Sequence, residues 1–127
     1  MVWRNAEKSL LVIRVRPMDE ATMNDTYGAG SETYGNGRSR LDFGPDVRGW
    51  VGGQSVGLGF RCDNPENVRT GRPYVEVLVS VDRVHRAVLD IALKYAKAVV
   101  ADYPCSNPVR LPDSVPESAG NFPPPGP

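Results

Sequence analysis

Proline and glycine are sorted along this chain, and that sorting limits which parts can form a packed core. Eight of the twelve prolines lie in the last 24 residues, and eleven of the thirteen glycines lie between Gly28 and Gly71. The stretch 74–103 contains neither residue. Because proline interrupts helices and glycine weakens regular elements, we expect a single domain over 1–103 and an extended proline-rich arm over 104–127.

Charge is balanced over the whole chain, which argues against several classes of partner. Fifteen basic and fifteen acidic residues cancel, and residues 38–72 carry six basic against four acidic groups. A sequence-independent nucleic-acid binder or a polybasic membrane anchor needs concentrated lysine and arginine. We therefore expect neither specific nucleic acid nor membrane as a partner. Arg38, Arg40 and Arg48 could form a small basic strand face, but Asp42 and Asp46 interleave with them.

Residue usage bears on origin and location. Twelve arginines against three lysines, and seventeen valines against two isoleucines, indicate a GC-rich genome such as that of an actinobacterium or one of its phages. The longest early apolar run, residues 10–13, is too short for a secretory signal or a transmembrane span. We expect a protein kept in a cytoplasm, or packed into a particle assembled there.

Alternating apolar and polar residues predict the strands. The alternation begins at Leu11, and Pro17 is expected to end that first strand. Three short strands follow over 38–62, and 74–81 carries four valines on one face and a mixed, half-wet set on the other. The expected fold class is α+β, with four or five mostly antiparallel strands in a sheet or open barrel and one long helix packed on it.

Two glycines on one face of a predicted strand should leave a flat groove. Gly57 and Gly59 alternate with Val56, Leu58 and other apolar residues of the opposite face. We expect something bulky, such as Trp50 or another backbone, to approach the sheet there. The glycines lie in a hairpin rather than between a strand and a helix, so they do not form a dinucleotide-binding fingerprint.

A long segment, 18–37, is predicted to be a loop. It contains Tyr27-Gly-Ala-Gly30 and Tyr34-Gly-Asn-Gly37, the same pattern twice. One interpretation is a flexible loop or a glycine-cornered hairpin. The other is a projecting arm whose Tyr27 and Tyr34 anchor on a partner.

The helix is predicted to run from Arg83 to about Tyr103, with Asp82 as its N-cap and Pro104 as its end. Its apolar surface is wider than one sheet needs. Besides the expected core face, it carries a second ridge. That ridge consists of Leu89, Leu93 and Val100. Either the long loop or the start of the arm folds back over the ridge, or the ridge is a subunit interface, which is the interpretation we favour from sequence.

Cys62 and Cys105 are the only cysteines, and their spacing does not match a zinc site. Two free thiols are the expected state, and a bridge that clamps the arm to the sheet is the alternative. His85 is the only histidine, and no nucleophile, base or metal-ligand set accompanies it. We predict no enzymatic activity and no cofactor or metal.

The arm cannot be helical and should be extended, partly polyproline II. Its end offers Phe122, Pro123, Pro124 and Pro125 as anchors for another protein surface. Together with the ridge and the loop, this predicts a non-enzymatic assembly subunit that binds other protein subunits, in a homo-oligomeric ring with neighbouring virion proteins. The most concrete form is a phage virion component, such as a head–tail connector or tail-completion (terminator-type) protein. The alternatives are a bacterial immunity or inhibitor protein that binds a toxin, and a small enzyme.

Overall fold

A computed structural model describes residues 2–4, 10–27, 39–84, 86–103 and 105–115 of the chain. This part of the chain contains six strands and three helices. In chain order they are β1 (Val2–Arg4), β2 (Leu10–Met18), α1 (Glu20–Thr26), β3 (Ser39–Asp42), β4 (Val47–Val51), β5 (Ser55–Arg61), α2 (Pro65–Arg69), β6 (Tyr74–Val81) and α3 (Arg86–Asp102).

The strands form one open antiparallel sheet with the order β1-β2-β6-β5-β4-β3. Helix α3 packs on one face of it, against β5 and β6. The predicted α+β class, an antiparallel sheet under one long helix, is confirmed. Strand β1 is an addition to the prediction, because three residues are too few to show an alternating pattern.

The predicted alternation of β5 and β6 is also confirmed. Side chains of one parity belong to the main core beneath α3, where each is at most 3% exposed. They are Val56, Leu58 and Phe60 of β5 and Val75, Val77 and Val79 of β6. The opposite parity faces the second side of the sheet, where Tyr74 and Leu78 pack against a smaller cluster of buried residues.

Helix α3 begins later than predicted. Asp82 and Arg83 lie in a bend, and the N–H of Val84 donates to the carbonyl of Gly53 at 2.9 Å. This bond ties the end of β6 to the turn between β4 and β5. The predicted start at Arg83 is therefore wrong, because the residues after the strand are held by the hairpin before the helix begins at Arg86.

The second ridge of α3 is buried inside the chain. Leu89 is fully buried, Leu93 is 3% exposed, and Val100 is half-buried. All belong to or pack against the main core, together with Val109 and Val115 from beyond the helix. The favoured expectation of a subunit interface at Leu89 and Leu93 is wrong, because both lie in the protein's own core, to which the start of the predicted arm contributes Val115.

Residues 105–115, called the C-terminal segment below, are linked to the sheet by a disulfide between Cys62 and Cys105, with a Cα–Cα distance of 4.7 Å. The expectation of free thiols is wrong, and the alternative of a bridge describes the structure. Cys62 directly follows β5 and is fully buried, so the bond anchors the segment at the edge of the core.

Part of the predicted loop is a helix. Asp19 caps α1, its carboxylate accepting from the N–H of Thr22 at 2.7 Å, and the loop prediction is wrong for residues 20–26. Strand β2 also continues past Pro17 to Met18. The described residues of β1 pair only with 10–12, so Pro17 lies where β2 is an edge and its missing N–H does not interrupt the sheet.

Candidate functional site

The second face of the sheet holds a groove at the two glycines of β5, and α1 and Trp50 fill it. A Cβ at Gly57 would lie 2.6 Å from Cε2 of Trp50 and 2.7 Å from the hydroxyl of Tyr27. A Cβ at Gly59 would lie 2.8 Å from Cε of Met23. These separations are too short for a real side chain, so close approach requires glycine at both positions. The predicted approach of Trp50 to the glycine face is confirmed.

Glu76 is a buried carboxylate at the centre of this face, with 1% of its surface exposed. The Nε–H of Arg16 donates to its Oε1 at 2.9 Å, and the hydroxyl of Tyr27 donates to its Oε2 at 2.7 Å. Arg16 lies directly opposite Glu76 in the β2–β6 register. A buried charge is costly unless it is paired and hydrogen-bonded, and these two contacts give each oxygen of the Glu76 carboxylate a partner. The contact with Tyr27 ties the end of α1 to the middle of the sheet.

Tyr27 itself is fully buried. Burial first, and then the negative charge of Glu76, raise the pKa of Tyr27 well above its ordinary value. The hydroxyl therefore stays protonated and acts as a donor. The expectation that Tyr27 anchors on a partner is wrong, because its ring fills the space over the glycines. Because both oxygens of the Glu76 carboxylate are hydrogen-bonded within the protein, the Glu76–Tyr27 pair stabilises the fold.

A polar cleft of about 270 Å³ opens beside α1, and we call it the Arg48 cleft. Arg48, Arg61 and Tyr74 line it, together with Asp46 and Asn107. The guanidinium carbon of Arg61 lies 5.9 Å from the centre of the Tyr74 ring. The cleft thus combines cationic groups with an aromatic wall.

The acidic groups next to the cleft are engaged by arginines. Arg61 pairs with Asp63 at 2.9 Å. Asp46 accepts from the backbone N–H of Arg110 at 2.8 Å and from its Nε–H at 2.9 Å. These hydrogen bonds lower the pKa of the Asp46 carboxyl and raise the pKa of Arg110. The contact also holds the C-terminal segment against the turn that precedes β4.

The C-terminal segment runs along the domain and ends beside the start of α3. The amide of Asn107 donates to the carbonyl of Arg61 at 2.9 Å. Lys97 donates to the carbonyl of Asp113 at 2.7 Å, and Arg86 donates to the carbonyl of Val115 at 3.2 Å. The segment therefore follows α3 from its C-terminal end towards its N-terminal end.

A second, more apolar groove of about 130 Å³ lies between the edge of β2 and the end of α3. Val15, Pro17, Val99 and Tyr103 line this β2 groove. Val15 is 48% exposed and Tyr103 is 38% exposed. Large apolar side chains at an open strand edge are a typical surface for strand addition or peptide binding.

The remaining predicted site residues lie outside the described part of the chain. They are Tyr34, Phe122, Pro123, Pro124 and Pro125. The same holds for His85. The interface role of these residues stays a prediction.

Sequence reasoning missed the two charged side chains that matter most on the second face. The alternation of 74–81 puts Glu76 in the half-wet set, whereas it is buried with Arg16 and Tyr27. The sequence pattern groups Arg48 with Arg38 and Arg40 as a basic strand face. In the sequence, the signal for a buried ion pair is that Glu76 stands among the valines of 74–81. Its partner, Arg16, could not be identified from sequence because it depends on the β2–β6 register.

Comparison of the chain with family models, curated proteins and solved structures finds no match in any of the three. Within the described residues, no group of three or more histidine, cysteine, aspartate or glutamate side chains is placed to hold a metal ion. No helix in that part of the chain is long and apolar enough to span a membrane.

Proposed function

We propose that this protein is a non-enzymatic assembly subunit that joins neighbouring copies through its proline-rich end. The most concrete form is a phage virion component of the head–tail connector or tail-completion type. The observation that carries the proposal is the course of the C-terminal segment. A disulfide at Cys105, an ion pair at Arg110 and a hydrogen bond to the carbonyl of Val115 hold it on the domain. Residues 116–127 therefore start from a fixed position.

The β2 groove is the surface we assign to the end of a neighbour's arm. It offers exposed Val15 and Tyr103 beside Pro17 at an open strand edge. Proline-rich segments bind grooves lined by aromatic and apolar side chains, because they are already extended and lose little entropy on binding. Phe122 and the three prolines that follow it match this chemistry.

The geometry favours a groove on another copy over the groove on the same chain. Val115 is bonded to Arg86, whereas the β2 groove begins near Val99, roughly 20 Å further along the helix axis. From Val115 to Phe122 a fully extended chain covers at most roughly 25 Å. To reach its own groove, the chain would have to reverse direction at once and stay close to full extension. A head-to-tail contact with the next copy needs no reversal, and it produces the proposed ring when the rotation between copies closes.

The Cys62–Cys105 disulfide also supports a virion role. Disulfides persist in oxidising surroundings, which include the surfaces of virions and cells, and are rare in a reducing cytoplasm. In this proposal the subunit assembles in a host cytoplasm with both thiols reduced, and the two thiols are oxidised to the disulfide by dioxygen in the released particle.

Molar mass in solution tests the proposal. Light scattering after size exclusion at tens of micromolar should show a multimer for the natural sequence. Val15→Glu and Phe122→Ser should each reduce the mass to that of one chain. Val68→Glu is the matched control, because Val68 is 55% exposed but does not line the β2 groove, and it should leave the mass unchanged. A single-chain mass for the natural sequence at 100 micromolar would exclude assembly by this route.

The second candidate function, an inhibitor that binds a toxin as a single chain, is favoured by one observation. The α3 ridge lies in the protein's own core together with Val115 of the C-terminal segment, and a disulfide holds that segment on the domain. A self-contained, cross-linked domain suits a monomeric binder. A single-chain mass at every concentration, with stoichiometric binding to a purified toxin domain, would decide for this candidate.

A further inference from the structure

Arg48 forms no ion pair with the side chains that the structure describes. Its side chain is half-buried on β4. Within the described part of the chain it makes one hydrogen bond, from Nη1 to the carbonyl of Tyr27 at 3.5 Å. A guanidinium group has five N–H donors and stays charged at every physiological pH. Most of its donors are therefore available to a ligand.

The surroundings of Arg48 add to the positive charge. Arg61 lines the same cleft, and Arg110 is bound to Asp46 at its wall. Of the nearby carboxylates, Asp46 and Asp63 are each already paired with an arginine, and Asp42 lies opposite Arg48 in the β3–β4 register. Gly59 lies opposite Arg48 in the β4–β5 register, and Met23 of α1 packs against it, so the open part of the cleft lies beside α1. The cleft therefore offers the unused N–H donors of Arg48 beside an open volume of about 270 Å³.

We infer that the Arg48 cleft binds a small oxyanion, with the carboxylate or phosphate group held by the guanidinium of Arg48. Arginine binds either group through two parallel hydrogen bonds. The half-buried ring of Tyr74 forms a wall for the organic part of such a ligand. A volume of about 270 Å³ lies just below the roughly 300 Å³ at which pockets for drug-sized ligands begin, which limits the ligand to a compact molecule. This inference is independent of the proposed assembly role.

Titration with inorganic phosphate, pyrophosphate and citrate tests the inference, with sodium chloride at equal ionic strength as the salt control. Two-dimensional NMR of the arginine Nε–Hε groups should show a saturable shift for Arg48. The phosphate and citrate arms distinguish a phosphorylated ligand from a polycarboxylate. Arg48→Gln should raise the dissociation constant at least tenfold. Arg48→Lys should give a value between those of Arg48→Gln and the natural sequence, because lysine keeps the charge but loses the paired donors.

Two further variants make the test specific to the cleft. Arg14→Gln removes an exposed arginine from the same sheet face that does not line the cleft, and it should bind as the natural sequence does. Asp42 is paired with Arg48 in the β3–β4 register, so Asp42→Asn should bind at least as tightly. A thermal melt in chloride checks that each variant is folded. Equal binding by Arg48→Gln and the natural sequence, or shifts no larger than those caused by chloride, would overturn the inference.

Discussion

Reduction of the Cys62–Cys105 disulfide should lower the free energy of unfolding by about 4 kcal/mol. The bond closes a loop with a sequence separation of 43 residues. A cross-link restricts the unfolded chain, and for a loop of that length the chain-entropy relation gives about 4 kcal/mol at 25 °C. That corresponds to roughly a thousandfold change in the unfolding equilibrium constant. The midpoint of thermal unfolding should fall by roughly 15 °C for a domain of this size.

Guanidinium chloride unfolding with and without a thiol reductant measures this difference. A Cys62→Ala, Cys105→Ala variant is the control, and its unfolding should not depend on the reductant. A thiol count in denaturant should find none in the oxidised protein. A difference below about 1 kcal/mol between the oxidised and reduced protein would refute the reasoning. It would mean that the reduced, unfolded chain still keeps residues 62 and 105 close together, so that the cross-link removes little entropy.

Three further predictions concern the two faces of the sheet. Leu93→Glu should unfold the protein, because it places a charge in the core under the C-terminal segment; a folded variant seen by circular dichroism would instead mean that Leu93 is accessible. Gly57→Ala should lower the free energy of unfolding by about 1–3 kcal/mol in chemical denaturation, because the added Cβ would overlap Trp50 and Tyr27. Gly53→Ala is the control, because Gly53 has open space around it, and it should change stability by less than about 0.5 kcal/mol. Equal effects of the two substitutions would contradict the packing of α1. Because the pKa of Tyr27 is raised in the folded state, the unfolded chain loses that proton first, so stability should be complete below about pH 10 and decline above it. Tyr27→Phe should weaken this decline in urea unfolding from pH 8 to 11, and an unchanged slope would argue against a buried hydroxyl.

The strands and the long helix were predictable because their signals are local. Alternation along β5 and β6 states which side chains share a face, whatever the neighbouring strands are. The two glycines of β5 likewise predicted a close approach, and Trp50 is one of the groups found there. The end of α3 near Tyr103 follows from Pro104, which cannot continue a helix.

Helix α1 shows why a local pattern was not sufficient. Asp19 is a good N-cap, but seven helical residues are too few to be stable alone. The helix exists because Met23 and Tyr27 pack over the glycines of the sheet. Those glycines lie more than thirty residues away in sequence, and their distance from α1 is set by the sheet.

What the sequence by itself determined is which residues alternate, where helices can begin and end, and that α3 carries two apolar faces. Only the tertiary structure decided what covers the second face. Leu89 and Leu93 would be equally well buried by a neighbour or by the protein's own chain, because the hydrophobic effect is non-directional and depends on the area removed from water. The choice was made by contacts between distant residues: the Cys62–Cys105 bond and the Arg110–Asp46 pair tie the C-terminal segment to the sheet, and bonds from Lys97 and Arg86 tie it to the helix.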